Sequence, residues 1–190
     1  MINTNDFKTG QTIKFNNQIY QILEFLHVKP GKGAAFVRTK LRNLRTGSVI
    51  DYTFNAGIKV QPALITKIKM QFLYALEDNY IFINTQNYEQ LEINKHQLKD
   101  FLKYLYEGLL VDIIFYENDE IVGISLPDKI SIKVAYTEPG AKGDTKTNSL
   151  KDATLETGLV IKVPLFINIG EKIIINTETG LYLSRDNNKQ

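Results

Sequence analysis

The sequence predicts a mainly β chain assembled from small barrels, and three observations predict it. Short runs rich in Ile, Val, Tyr and Phe recur along the 190 residues, separated by Asn, Asp, Gly and Pro turns. Only one segment carries helical periodicity. Two prolines, Pro62 and Pro127, fall between groups of runs and divide the chain into modules of residues 1–63, 64–126 and 127–190. No apolar run reaches the roughly 18 residues that mark a membrane-spanning helix. The N-terminal MINTNDFKTG lacks the basic-then-apolar pattern of a secretory signal. There are no cysteines, which excludes disulfides, thiolate zinc sites and cysteine nucleophiles. The expectation is a cytoplasmic protein with no membrane partner.

In the first module, QTIKF and QIYQILEFLHV read as strands around an Asn16-Asn17 turn. The turn Lys29-Pro30-Gly31-Lys32-Gly33 follows, and then a long strand, AAFVRTKLRNL. Arg45-Thr46-Gly47-Ser48 interrupts it before VIDYTF resumes. A meander of short strands is the pattern of a small barrel. In the middle module, IKMQFLYALEDNYIFINTQNYEQLEI gives three strands, the first two joined at Glu77-Asp78-Asn79. Asn94 then caps a helix, because its side-chain oxygen can accept from free first-turn amides. Leu98, Phe101, Leu102 and Leu105 form its apolar face, and Gly108 offers a left-handed end. LLVDIIFY and EIVGISL follow as strands around Asn118-Asp119. Five short strands with one interposed helix is the layout of an oligonucleotide-binding (OB) barrel. The third module holds KISIKVAYTE, a loop rich in Gly, Thr and Lys, then GLVIKVPLFINIG, EKIIINT and GLYLS. Pro164 cannot donate to a ladder, so a bend or a sheet edge is expected there.

Charge is unevenly spread. Nine Lys/Arg against three Asp/Glu give the first module +6, and five against ten give the second −5. Nine against eight give the third +1. A basic first module points to a polyanion as partner.

The lysine between two glycines has two readings. Pro30 fixes its own φ, while Gly31 and Gly33 accept positive φ at no steric cost, so the loop can be sharp and can project. Lys32 then stands unshielded and protonated, suited to a negatively charged crevice. The local pattern alone favours a plain hairpin turn with a solubilising lysine. It is neither a dinucleotide nor a Walker loop, since the third glycine and the spacing are missing and a strand follows. The next strand favours the first reading. Arg38, Lys40 and Arg42 alternate and share one face, with Val37, Thr39 and Leu41 directed inward. Lys29 and Arg45 add charge near by, and Glu24 is the only acid between Lys8 and Asp51. Such a face suits phosphate contacts, which are salt-sensitive and sequence-independent. A second glycine loop, Glu138 to Thr145, mixes both signs and reads by itself as an ordinary mobile loop.

No catalytic constellation appears. His27 and His96 lie far apart, one at a strand end and one on the predicted helix surface. The pairs Glu77-Asp78 and Asp119-Glu120 coincide with turns, where solvated acids are common. No metal-ligand cluster or Ser-His-Asp set is suggested. The expectation is a protein that is not an enzyme and takes no cofactor.

Two long motifs carry a family resemblance. KPGKGAAFVRTKLRNLRTG resembles the loop and following strand of the bacterial elongation factor P family, and KDATLETGLVIKVPLFINIG resembles that family's C-terminal signature. MQFLYALEDNYIFINTQNYEQLE matches in style, so the likeness covers essentially the whole chain. Ile169 stands where the family commonly has an acidic residue. The resemblance implies a KOW-like barrel followed by two OB-like barrels. It implies a monomeric translation factor that contacts both ribosomal subunits beside peptidyl-tRNA and promotes peptide-bond formation at consecutive prolines. Lys32 would be the tip residue reaching the peptidyl-transferase centre, with Lys29, Pro30, Gly31 and Gly33 forming its mount. In many members this lysine is extended covalently, which implies a modifying enzyme as a further partner. Arg38, Lys40, Arg42 and Arg45 would meet RNA. Gly143, Asp144 and Thr145 match the family's segment near the exit-site codon, and Tyr182 and Arg185 match residues that meet tRNA. The alternative is a general OB-type RNA-binding module without a proline-specific role.

Overall fold

The computed structural model describes residues 1–117, 120–140 and 149–187. Three antiparallel sheets account for nearly all of its regular structure, and the sheets form half-barrels. The first contains β1 (Ile2–Asn3), β2 (Thr12–Phe15), β3 (Gln18–Val28), β4 (Phe36–Asn43), β5 (Val49–Asn55) and β6 (Lys59–Pro62), in the order β1-β6-β2-β3-β4-β5. The second contains β7 (Ile65–Leu76), β8 (Asn79–Asn84), β9 (Gln90–Asn94), β10 (Leu110–Tyr116) and β11 (Glu120–Ser125), in the order β11-β10-β7-β8-β9. The third contains β12 (Lys129–Thr137), β13 (Leu150–Leu155), β14 (Val160–Pro164), β15 (Lys172–Asn176) and β16 (Tyr182–Arg185), in the order β14-β13-β12-β15-β16. By compactness the chain forms two units, Met1–Ile68 with Asp112–Ser125, and Lys69–Val111 with Leu126–Gln190.

The first unit is organised by alternation. Along β4, Val37, Thr39 and Leu41 are buried, and the intervening cations face outward. This is the pattern a period of two dictates. Val37 and Leu41 join Phe7, Ile13, Ile22, Phe54 and Val60 in one core. Phe54 anchors it with edge contacts to Phe7 at 5.5 Å and Phe15 at 5.1 Å. Buried Thr39 does not break this apolar layer, because its hydroxyl donates to the Tyr52 carbonyl at 2.7 Å. Asn16 and Asn17 both adopt positive φ, 48° and 60°, the two-residue turn that matches the twist of its strands. A bulge between Ile22 and Glu24 bends long β3, which helps so small a sheet to curl. A second cluster in this unit joins Ile19 and Ala63 to Ile114, Tyr116 and Val122 of the β10–β11 hairpin.

The second unit holds the helix, and it is shorter than periodicity predicts. Asn94 caps it as expected, its side-chain oxygen accepting from the His96 amide at 3.0 Å. The α-helical part, α1, spans only Lys95–Leu98, and a 3-10 stretch runs Lys99–Tyr104. Lys99 adopts φ 40° and ψ −114°, outside the right-handed helical region, at the end of the α-helical turn. The chain therefore leaves the α path. Gly108 does adopt positive φ, 91°, but in the turn leading to β10 rather than at the helix end. Thr157 donates its hydroxyl to the Lys103 carbonyl at 2.6 Å, tying the β13–β14 turn to this segment. β13 escapes the sequence pattern because only Ala153 and Leu155 of LKDATL turn fully inward. Pro164 ends β14, which is an edge strand, as a residue without an N–H requires. The expected Asn118-Asp119 turn lies outside the described residues.

Leu41 is fully buried, so Leu41→Ala leaves a cavity at the centre of the first core. The expected loss is about 2–5 kcal/mol in chemical denaturation. A loss under about 1 kcal/mol would show that this core collapses freely around the missing atoms.

Candidate RNA-contact surface around Lys32

The β3–β4 ladder closes with the pair Val28↔Phe36, so residues 29–35 project beyond it. Lys29, Pro30, Gly31, Lys32, Gly33 and Ala34 are all exposed. The loop's base is held where the Ala56 amide donates to the Ala35 carbonyl at 3.0 Å. Only one glycine uses its special freedom. Gly33 has φ +108°, whereas Gly31 keeps an ordinary φ with open space where a side chain would go. Lys32 is thus carried at the apex of a narrow projection. His27 lies at its foot, exposed and in edge contact with Phe25 at 5.5 Å.

The outward face of β4 is less uniformly basic than its sequence suggests. Register sets Arg38 between Leu26 and Thr53, Lys40 between Glu24 and Asp51, and Arg42 between Gln21 and Val49. The two acids, remote in sequence, thus flank the central lysine, and Lys40 Nζ lies 3.5 Å from Glu24 Oε2. The stripe is therefore compensated at least in its middle. Arg38 stands over the Phe36 ring at 5.6 Å. Around these groups is a shallow hollow of 460 Å³ whose lining includes Leu26, Arg38, Lys40, Asp51 and Tyr52. Leu26 is 59% exposed and Tyr52 38%. Sequence reasoning passed over both. Leu26 belongs to an apolar run that reads as core, and only the bulge in β3 shows which of its residues face out.

Arg45 does not stand on that stripe. It lies in the turn after β4 and pairs with Glu120. Buried Asn43 shapes this turn, its side-chain oxygen accepting from the Arg45 amide at 2.9 Å and the Thr46 amide at 3.1 Å.

In the second unit, Arg185 is held by several contacts. Its guanidinium stacks over the Phe166 ring at 4.4 Å, Nη2 donates to the Phe166 carbonyl at 2.8 Å, and Nε lies 3.5 Å from Glu171 Oε2. The Arg185 side chain remains 41% exposed, so a fixed, partly accessible cation results. Tyr182, on the same strand, is half-buried, and burial holds its phenol above the ordinary range against the opposing pull of Arg185. Gly143, Asp144 and Thr145 lie outside the described residues. Gly140, shortly before them, lies so close to the residue after β14 that a Cβ would meet the Leu165 carbonyl oxygen at 2.8 Å. Among the described residues no three His, Asp or Glu side chains gather as metal ligands, and no helix is long and apolar enough to cross a membrane.

Three family models match successive parts of the chain: the elongation factor P KOW-like domain over residues 3–60, its OB domain over 65–124 and its C-terminal domain over 130–185. Elongation factor P of Onion yellows phytoplasma (strain OY-M) is 98% identical over 189 residues, covering 100% of both chains. Elongation factor P of Moorella thermoacetica is 52% identical, covering 97% of this chain and 100% of its own. Among solved structures, eukaryotic translation initiation factor 5A from Methanococcus jannaschii is similar over 65% of this chain and 92% of its own, at 23% identity and a TM-score of 0.49.

The contrast between the two loop glycines is measurable. Gly33→Ala places a Cβ on a backbone in the positive-φ region and should cost about 1–2 kcal/mol or force the loop to rearrange. Gly31→Ala should stay within about 0.5 kcal/mol. Denaturation midpoints with amide chemical shifts of residues 29–35 check this, and equal responses from both variants would contradict it.

Proposed function

The chain belongs to the elongation factor P family and is a translation elongation factor, and from that premise we propose that it binds the ribosome beside peptidyl-tRNA and promotes peptide-bond formation between consecutive prolines. The observation that carries this reading is Lys32: exposed at the apex of a projection and mounted at the end of a strand whose outer face bears Arg38 and Arg42.

The chemistry asked of the factor is modest. Proline is a poor nucleophilic partner because its ring restricts the geometry of attack. Holding peptidyl-tRNA in a productive pose lowers the entropic share of the barrier, and no acid or base from the factor is required. The Lys32 ammonium donates charge-assisted hydrogen bonds to ribose or phosphate oxygens near the CCA end. A loop of Pro, Gly and Ala flanking that lysine is slim enough for a narrow RNA crevice. Arg38, Lys40 and Arg42 take phosphates of the tRNA backbone. Leu26 and Tyr52 supply apolar surface between them. Arg185, stacked on Phe166, and Tyr182 provide a second tRNA contact, and Gly143, Asp144 and Thr145 meet the small subunit. Covalent extension of Lys32 by a dedicated enzyme lengthens the same arm. The factor works in the cytoplasm as a monomer.

Lys32→Ala is expected to leave the denaturation curve unchanged and to abolish relief of stalling at a Pro-Pro-Pro reporter in a reconstituted translation assay. Full relief by that variant would remove the central role of Lys32. Comparable losses from Lys32→Ala and Arg42→Ala, independent of proline content, would instead favour a general RNA-binding module. Intact-mass measurement of the protein from its native host, with peptide mapping across Lys32, tests the modification. An unmodified Lys32 there would remove the extended arm from the proposal.

A further inference from the structure

Strand β4 ends in two different structures. At one end is the Lys32 loop. At the other is the turn Leu44-Arg45-Thr46-Gly47-Ser48, which is pressed against β11. The contact is backbone on backbone. Gly123 is buried in β11, and a Cβ added there would lie 2.2 Å from the Leu44 carbonyl oxygen and 3.3 Å from its carbonyl carbon. Its φ is ordinary, so the glycine serves close approach and not a left-handed turn. Leu44 cannot easily move away. Its amide donates to the Ile19 carbonyl at 3.0 Å, and its side chain lies against the Ile19, Ala63, Ile114, Tyr116 and Val122 cluster. Arg45 adds an ion pair to Glu120 on the same strand as Gly123. Lys14 stands over the Tyr116 ring at 5.6 Å.

We propose that Gly123 is a positioning residue for Lys32. It lets the β4–β5 turn seat directly on β11, and β4 transmits that seating to the loop. Arg45 belongs to this clamp and is not an RNA contact. β4 has eight residues, so at about 3.4 Å per residue its two ends are roughly 24 Å apart. Val37 and Leu41 tie β4 into a close-packed core, so a shift at the turn strains strand and core together and is passed along to the loop. Adding a methyl group at Gly123 must open the contact from 2.2 Å to the 3.4 Å where ordinary contact begins, a displacement of 1.2 Å. Misplacing a positioning group by about 1 Å can cost on the order of a hundredfold in rate. The ion pair alone is weaker: both side chains are partly exposed, 37% and 50%, and such pairs hold little against solvent. It selects one seating among those the apolar cluster allows.

The functional half of this inference rests on the role proposed for Lys32, and the structural half does not. Because the chain has no cysteine, spin labels can be placed singly at Ala34→Cys in the loop and Ser125→Cys in β11, and their separation read by pulsed electron resonance. Gly123→Ala is expected to shift and broaden this distance distribution while circular dichroism stays unchanged, and to lower stalling relief towards that of Lys32→Ala. A distribution superimposable on the parent's overturns the proposal. If Gly123→Ala does not fold, charge reversal decides. Arg45→Glu should broaden the distribution, and Arg45→Glu with Glu120→Arg should restore both the distribution and stalling relief. A double variant that stays broad rules out the clamp. One that regains the distance but not the relief returns Arg45 to the RNA contacts. Should Lys32→Ala prove fully active, the distance measurements still stand, and only the functional reading fails.

Discussion

The β3–β4 ladder is the constraint on which the rest of the first unit depends. Two antiparallel strands paired from Tyr20↔Asn43 to Val28↔Phe36 leave β4 no choice of face. Val37, Thr39 and Leu41 go inward, where burial stabilises the sheet, and Arg38, Lys40 and Arg42 are forced outward. A slip of one residue would bury three cations and expose two fully buried aliphatic side chains. The same hydrophobic term that folds the module therefore displays its cations, and no separate device is needed. It also fixes where the ladder stops, and so where the glycine loop begins to project.

Compensation, more than accumulation, governs the charges on that surface. Glu24 and Asp51 flank Lys40, Glu120 pairs Arg45, and Glu171 approaches Arg185. Such pairs are individually weak in water. Their use here is geometric: each reduces the range of positions a long side chain visits. The guanidinium of Arg185 over Phe166 shows the same principle, with a ring and a carbonyl holding the cation in one place. Lys32 stands apart from these pairs in character. It is carried on an exposed loop whose neighbours are Gly and Ala, so its placement falls to the backbone.

Much of this was legible in the chain. Alternation in FVRTKLRN gives the face assignment of β4, Asn16-Asn17 and Glu77 mark turns that do adopt positive φ, and Asn94 announces its cap. The helix was legible in position and not in length, because apolar periodicity carries no sign that Lys99 takes a positive φ, 40°, where the α-helical turn ends. β13 was hidden because a strand with only two inward residues, one of them alanine, leaves almost no apolar signal. Arg38, Lys40 and Arg42 alternate outward on β4 as periodicity implies, while no local pattern shows that Arg45 pairs with Glu120.

Local pattern is enough for the β character, the outward cations of β4 and the glycine-mounted lysine. Each follows from local periodicity or backbone freedom, which act over a few residues. Folding in three dimensions sets Glu24 and Asp51 beside Lys40 and brings Arg45 to Glu120. It alone brings the Leu44 carbonyl to Gly123. These depend on register and on contact between segments as much as 79 residues apart, Leu44 to Gly123, and no local pattern records which strand will lie against which.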